Sequence, residues 1–365
     1  MPTTTRTMRS LVCSCLLACG CGGGSDPPPA VVAEPATITA LTYNMFYGIA
    51  TDIVPQSTSA ANLSGSISAV VGGVTLTDFA CRLEGAAQLI AAEQPDVIAL
   101  QEAVLVAYAH ELDDRSRDRV IVDFLDTLVR AIERQSGVRY QALARDNAVV
   151  EGALPSVGGA RLIDRGAILV HPRLGPAALA GSLTYATLEP ASELVTNGVG
   201  SVVRGALHVQ VAFSDGALDV YSTHLQSSGT SSPSAPGVRL AQAQELAGWI
   251  DQTRAPGGLV LVLGDLNDVP GSPMYTTFVP PLTDTYGSAG ELPGLTAYQD
   301  QSLSAPTDTA SVRIDYVLSS SSSVVESHRA FTSMVGPCNL WVSDHFGVQS
   351  TVRTAASPAP ARSWE

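Results

Sequence analysis

The 365-residue sequence contains no lysine; its permanent side-chain cations are 20 arginines set against 34 acids, for a formal charge of −14. A binder of nucleic acid gains much of its affinity by neutralising phosphates with cations, so this balance argues against broad attachment to a polyanion. It leaves room for a small local positive patch. Charged residues of both signs make up only 15% and hydrophobic residues 45%, which excludes general disorder and provides for a sizeable core. Aromatic residues are scarce at 5%, and no exposed aromatic-rich hairpin of the kind that inserts into a bilayer can be picked out. No apolar run reaches the roughly 20 residues needed to span a hydrocarbon layer. Cysteine is sparse too: six residues, four of them within the first 21 positions.

That amino terminus carries a processing signal. Arg6 and Arg9 precede the apolar run Leu11 to Ala18, which ends at Cys19, so residues 1–19 read as an export signal. Leu16-Leu17-Ala18-Cys19 is similar to a bacterial lipobox, in which the cysteine becomes the acylated first residue. Cys21 is a weaker candidate for that role, and an ordinary cleaved signal peptide is the plainer alternative. The expected location is extracytoplasmic, either anchored to a membrane by lipid or secreted. Removing residues 1–19 takes away two arginines and no acids, which changes −14 to −16. Residues 20–35, rich in glycine and then proline, read as a tether. Residues 355–365 read as a frayed tail. Cys81 and Cys338 remain in the domain; an exported protein sits where disulfides persist, so they are a candidate bridge, with two separate buried thiols as the other reading.

Residues 36–354 contain no second linker of this kind and are read as one domain. Strand-length apolar runs bounded by turn-forming residues fall at Ala36–Tyr43, Asp96–Leu100, Gly166–Val170, Gly205–Phe213, Leu218–Thr223, Leu259–Leu263, Ile314–Leu318 and Gly347–Val352. Helical periodicity predicts helices over Arg82–Glu93, Val120–Ser136 and Arg239–Ile250. Residues 50–80 read as an irregular insertion or a short hairpin, and segments 145–160, 227–237 and 319–323 are predicted to be loops. Strands with interspersed amphipathic helices predict an α/β sandwich of two sheets flanked by helices.

Polar residues recur just where the apolar strands stop: Asn44, Glu102, His224, Asp265 with Asn267, Asp315, and Asp344 with His345. Strand ends are rigid and reachable, so they suit reacting groups. Carboxylate and amide oxygens suit a hard cation such as Mg²⁺, whereas zinc would prefer more His or Cys ligands. Each residue alone has an ordinary reading as a turn former or helix cap. The six segments in this order do not.

Leu41-Thr42-Tyr43-Asn44, Pro95 through Gln101-Glu102, Ser222-Thr223-His224-Leu225, Gly264-Asp265-Leu266-Asn267, Arg313-Ile314-Asp315-Tyr316 and Ser343-Asp344-His345 together resemble the endonuclease/exonuclease/phosphatase superfamily, the DNase I-like fold. The resemblance implies a four-layered α/β sandwich, with two mixed, mainly antiparallel sheets face to face, outer helices, and a site at one edge. It implies hydrolysis of phosphate esters with Mg²⁺, or Mn²⁺ or Ca²⁺ in its place. Glu102 is then the principal metal ligand, with Asn44 and Asp344 beside it. Asp265 positions or activates water, Asn267 contacts the phosphoryl group, Asp315 orients His345, and His224 lies across the scissile phosphate. Arg165, in Asp164-Arg165-Gly166, is a candidate phosphate contact, with an exposed strand-start arginine as the ordinary reading. Phe46 stands where DNA-repair members often carry an acid or amide, which weakens an abasic-site nuclease reading. Arg239, Gln242 and Glu245 recur every three residues, as in some relatives, though a solvated helix face explains them too.

The substrate stays open among a phosphodiester of nucleic acid, a phospholipid as in sphingomyelinases, and a phosphomonoester or nucleotide conjugate. A non-catalytic surface binding protein on the same scaffold is the alternative of a different class. No protein partner is implied.

Overall fold

Two cores lie on either side of the first strand, β1 (Thr37–Asn44), and its side chains alternate between them: Ile38 and Ala40 enter one, Leu41 and Tyr43 the other. β2 (Val97–Gln101) divides Val97 and Ala99 from Ile98 and Leu100 in the same way. Strands apolar on both faces belong at the centre of a layered fold. This computed structural model describes residues 36–46, 48, 77–109, 115–152, 159–188, 200–214, 216–227 and 234–354. The expected export signal, Cys19, the tether and the 355–365 tail lie outside the described residues, as does most of 50–80.

Helix α1 (Phe79–Glu93) leads into β2; then come β3 (Leu105–Ala109), β4 (Arg119–Asp123), α2 (Phe124–Ser136), β5 (Gln141–Gly152), β6 (Gly159–Val170), β7 (Ala177–Thr184) and β8 (Gly200–Val202). β9 (Gly205–Ala212), β10 (Ala217–His224), α3 (Ala235–Thr253), β11 (Leu259–Asp265), α4 (Pro273–Phe278), β12 (Thr283–Asp284), α5 (Thr285–Ala289), β13 (Asp315–Ser319), β14 (Val324–Ala330) and β15 (Gly347–Arg353) follow. One sheet has nine strands, ordered β14-β15-β1-β2-β6-β3-β4 with β5 and β8 joined through β6; the other has six, ordered β12-β13-β11-β10-β9-β7. Among the described residues the pairing is antiparallel except for β1 with β2 and β10 with β11.

Three apolar clusters define the layers. Leu83, Ala86 and Ile90 of α1 and Phe124, Leu128 and Ile132 of α2 cover the outer face of the larger sheet. Ala40, Ala99, Val209, Val220 and Leu261 fill the space between the sheets. Ala243, Leu246 and Ile250 of α3 cover Tyr221, Val260 and Val262 on the outer face of the smaller sheet. The result is the expected four-layered α/β sandwich. Truncating a residue such as Leu261, which is fully buried, to alanine costs on the order of 2–5 kcal/mol.

Two sequence expectations need correction. Residues 119–123 are an edge strand, not the first turn of a helix: Val120, Ile121 and Val122 are β-branched, and Asp123 caps α2 by accepting from the Asp126 N–H at 3.0 Å. Of the segment expected as a loop at 145–160, residues 145–152 instead continue β5 and 159–160 open β6, which pair from Gln141–Val170 to Gly152–Ala160 with a register shift between Asp146 and Ala148; residues 153–158 lie outside the described residues. Cys81 of α1 and Cys338 form a disulfide, with Cα atoms 6.2 Å apart across 257 residues of sequence.

Candidate functional site

The two parallel strand pairs end at one edge of the sandwich, and the site residues sit on those ends. Asn44 is opposite Gln101 in the β1·β2 register, one residue before Glu102. In the smaller sheet His224 pairs with Asp265, and Asp265 with Asp315, so three adjacent strands present these side chains in one row. Gly264 permits that row: a Cβ there would lie 2.0 Å from the Thr223 carbonyl oxygen. Phe46, Glu102, Asn267 and Tyr298 adopt left-handed backbone conformations with φ of 49°, 56°, 55° and 69°. Such strain persists only where the surroundings enforce it, and these are four of the nine described non-glycine residues that show it.

Hydrogen bonds lock the row. Asp265 Oδ1 accepts from the Asn267 N–H at 2.9 Å and Oδ2 from Asn44 Nδ2 at 3.2 Å. The same Asn44 nitrogen donates to Glu102 Oε1 at 3.2 Å, while its oxygen accepts from the Phe46 N–H at 3.1 Å. Asn44 therefore turns N–H rather than oxygen toward both acids. Asn267 Nδ2 donates to the Leu225 carbonyl at 3.1 Å. His345 Nδ1 and Asp315 Oδ2 are 2.9 Å apart. That contact directs Nε2 of His345 toward Asp265 Oδ2, 3.9 Å away, and Asp344 Oδ1, 4.0 Å away. His224 Nε2 approaches the same Asp265 oxygen at 3.6 Å. Asp265 is thus flanked by both imidazoles.

Charge separates these two rings. Burial, then the positive charges of Arg204 and His345, push the His224 pKa well below the usual histidine value. Burial works the same way on His345, but Asp315, Asp344 and Asp265 overcome it and raise its pKa well above that value. Burial is also the largest cause for the acids. It pushes Glu102 up to about 8, aided by Asp344 and Asp164. Burial followed by Asp315 raises Asp265, and Asp344 is raised by burial too.

This donor set fits a hard divalent cation. The buried Glu102, Asp265 and Asp315 and the partly buried Asp344 crowd carboxylates into one region, and Asp315 Oδ1 is buried without a hydrogen-bond partner among the described residues. Asp265, Asp315 and His345 offer ligand atoms within 4.8 Å of one another, but Asp315 and His345 already engage each other. Glu102 and Asp344 are the acids that would hold an ion, and oxygen donors suit Mg²⁺-like ions.

Arg165 is not part of this pocket. Its Nε donates to the Ala103 carbonyl at 2.9 Å and its two terminal nitrogens fork Asp123 at 2.5 and 3.3 Å. The expected phosphate contact is corrected to a brace for the turn after Glu102. Arg239, Gln242 and Glu245 are likewise not a solvated face. Arg239 Nε lies 3.3 Å from Asp268 Oδ2, Gln242 joins the Gln226 N–H to the Thr187 carbonyl, and Glu245 accepts from the Ala186 and Thr187 N–H groups. Arg82 was not singled out by sequence. Fully buried, it donates to the carbonyls of Thr77, Met45, Phe46 and Val342, the last at 2.6 Å. It staples the end of β1 to the segment bearing Asp344 and His345, as does Ser343 Oγ donating to the Asn44 carbonyl at 2.7 Å. The only signal for Arg82 was a charge on an otherwise apolar helix face.

A family model described as Endonuclease/Exonuclease/phosphatase family matches residues 41–345. The chain belongs to this family. It is accordingly a phosphoric ester hydrolase of a divalent-metal-dependent kind. Among solved structures, an endonuclease/exonuclease/phosphatase family protein from Bacteroides thetaiotaomicron superposes with a TM-score of 0.56 at 16% identity, covering 90% of this chain and 99% of that one. One from Leptotrichia buccalis gives 0.54 at 16% identity, covering 87% and 99%. D. rerio TDP2 humanized by 14 mutations gives 0.52 at 15% identity, covering 88% and 100%. At such identities the likeness concerns the fold alone. No curated protein matches the chain by sequence.

Proposed function

We propose that this hydrolase is an extracytoplasmic, Mg²⁺-dependent phosphodiesterase of the nuclease kind. The observation that supports the reading is the row of His224, Asp265 and the Asp315-held His345, with Asp265 Oδ2 3.6 and 3.9 Å from the two Nε2 atoms. Asp265 is held at both oxygens and its proton affinity is raised, which suits it to accept the proton of an attacking water. His345 keeps its proton on the site side because Asp315 occupies Nδ1, and it sets positive charge against the phosphoryl oxygens as negative charge builds. Neutral His224, on the other side of Asp265, hydrogen-bonds the leaving oxygen. Asn267 fixes Asp265 through its backbone N–H and lies beside the phosphoryl group. Asn44 acts as the donor that spans two acids, in place of a ligand role.

Glu102 and Asp344 would hold Mg²⁺, which when bound neutralises charge on the phosphoryl and leaving oxygens. A diester is favoured over a monoester by charge: one negative charge meets the buried Glu102, Asp265 and Asp315 and the partly buried Asp344 at less cost than two do. Turnover of bis(p-nitrophenyl) phosphate with Mg²⁺, abolished by EDTA and recovered on adding the ion back, is the expected result. Faster turnover of p-nitrophenyl phosphate would overturn the diester assignment, and no turnover of either ester would overturn catalysis. Export and acylation at Cys19 rest on the sequence alone; Cys19→Ala is expected to move the protein from the membrane to the soluble fraction.

A further inference from the structure

Tyr298 is the one aromatic side chain among the described large hydrophobic residues that stand exposed, with 51% of its surface accessible. Its position is enforced. On one side Ala297 donates to the Val312 carbonyl at 3.0 Å, accepts from the Ser311 N–H at 2.9 Å, and lies opposite His345 in an antiparallel bridge. On the other side the Gln299 N–H donates to the Asp344 carbonyl at 2.9 Å. Between these two anchors Tyr298 takes a φ of 69°, a left-handed conformation that a bulky residue keeps only where its surroundings enforce it. The backbone is therefore bound on both sides to the segment carrying Asp344 and His345 while the ring points outward. Its phenol feels Asp265, Asp344 and Asp315 as well as Arg239; partial burial and the acids raise its pKa above the usual tyrosine value. The hydroxyl makes no hydrogen bond among the described residues, and about half of the side chain is left uncovered.

We infer that Tyr298 is a specificity-determining residue, the stacking platform for a planar nucleobase carried by the esterified alcohol, which makes the substrate class a nucleotidyl phosphodiester. This rests on the phosphodiesterase reading above and narrows it. An aromatic platform suits the chain's charge, because stacking on a base's π-face needs no cation, and lysine is absent. It also tolerates any base sequence.

Titration calorimetry of the full-length protein with Mg²⁺ tests the inference without requiring turnover, using AMP, ribose 5-phosphate, phenyl phosphate and inorganic phosphate as probes. Tyr298→Ala is expected to weaken AMP about tenfold or more, within the range of base–aromatic stacking, and to leave inorganic phosphate unchanged. Tyr298→Phe is expected to retain AMP binding, since the ring and not the hydroxyl does the stacking. Equal weakening of AMP and phosphate, no weakening of AMP, or the same loss in Tyr298→Phe would each overturn the inference. So would wild-type affinity for ribose 5-phosphate equal to that for AMP, or a loss confined to phenyl phosphate. A failure of the hydrolase reading shows differently, as a wild-type protein that cleaves no phosphate ester.

Discussion

His224 and His345 are the same residue in the same pocket, 3% and 7% exposed, yet their proton affinities move in opposite directions. Burial disfavours the charged form of both. What differs is the neighbour: a carboxylate 2.9 Å from one ring, and a guanidinium close to the other, with Arg204 reaching the His224 carbonyl at 3.4 Å. At equal depth, the balance of burial against the surrounding charges decides which imidazole is a cation: Asp315, Asp344 and Asp265 outweigh burial at His345, whereas Arg204 and His345 add to it at His224. The pocket thereby obtains one protonated and one neutral ring on either side of a single aspartate.

The comparison can be broken most directly at His345. His345→Ala is expected to lower kcat by about 10²–10⁴-fold, the usual contribution of a group that positions or transfers a proton; a loss below tenfold in steady-state kinetics would dissolve the distinction between the rings. Asp315→Asn keeps the ring in place and removes its charge partner. A loss of roughly 10²-fold is expected, and the His345 titration followed by NMR should move to lower pH; an unmoved midpoint would show that Asp315 is not the cause. His224→Gln should cost about tenfold, less than an acid–base group, because a neutral ring contributes a hydrogen bond only. Arg204→Gln leaves that ring in place and is expected to raise the His224 titration midpoint, read by the same NMR signal.

Stability in metal-free protein gives the mildest test, and its sign follows from the same shifts. Glu102, raised from 4.5 to about 8, binds its proton more tightly folded than unfolded, so its contribution to stability falls as pH rises between those values. His345, also raised, contributes stability that is full below 6.5 and lost as pH climbs through its folded pKa. His224, lowered, acts the other way, and its neutral form loses the folded state's advantage as pH drops below 6.5. Thermal melts should therefore show Mg²⁺ raising Tm more at about pH 8 than at about pH 5. Equal stabilisation at both would contradict the acid cluster as the binding site.

The central strands and the row of reacting groups were legible because each lies at the end of a run buried on both faces. Leu259–Asp265 and Val97–Gln101 could be little else. Edge strands were not legible. β4 exposes Arg119, Val120 and Ile121, and β7 exposes Ala178, Leu179 and Ala180, so neither carries a clean two-residue alternation. Arg165 misled because its true partner, Asp123, is 42 residues away in sequence. Asn44 was marked as a metal-side position, but which end of its amide faces the acids depends on Phe46, a contact that only the folded turn creates. Tyr298 carries no motif at all; it matters through a backbone bridge to His345.

The disulfide spans 257 residues, and Arg82, next to Cys81, grips the Val342 carbonyl just before the last two site residues. The pocket is therefore split in sequence: Asn44 and Glu102 are encoded before position 103 and the other six site residues after position 222. A chain cut anywhere before position 345 lacks the cationic ring, however well its earlier strands fold. Completing the pocket requires the segment of Asp344 and His345 to dock beside a helix more than 250 residues earlier, and the covalent staple keeps those two places together.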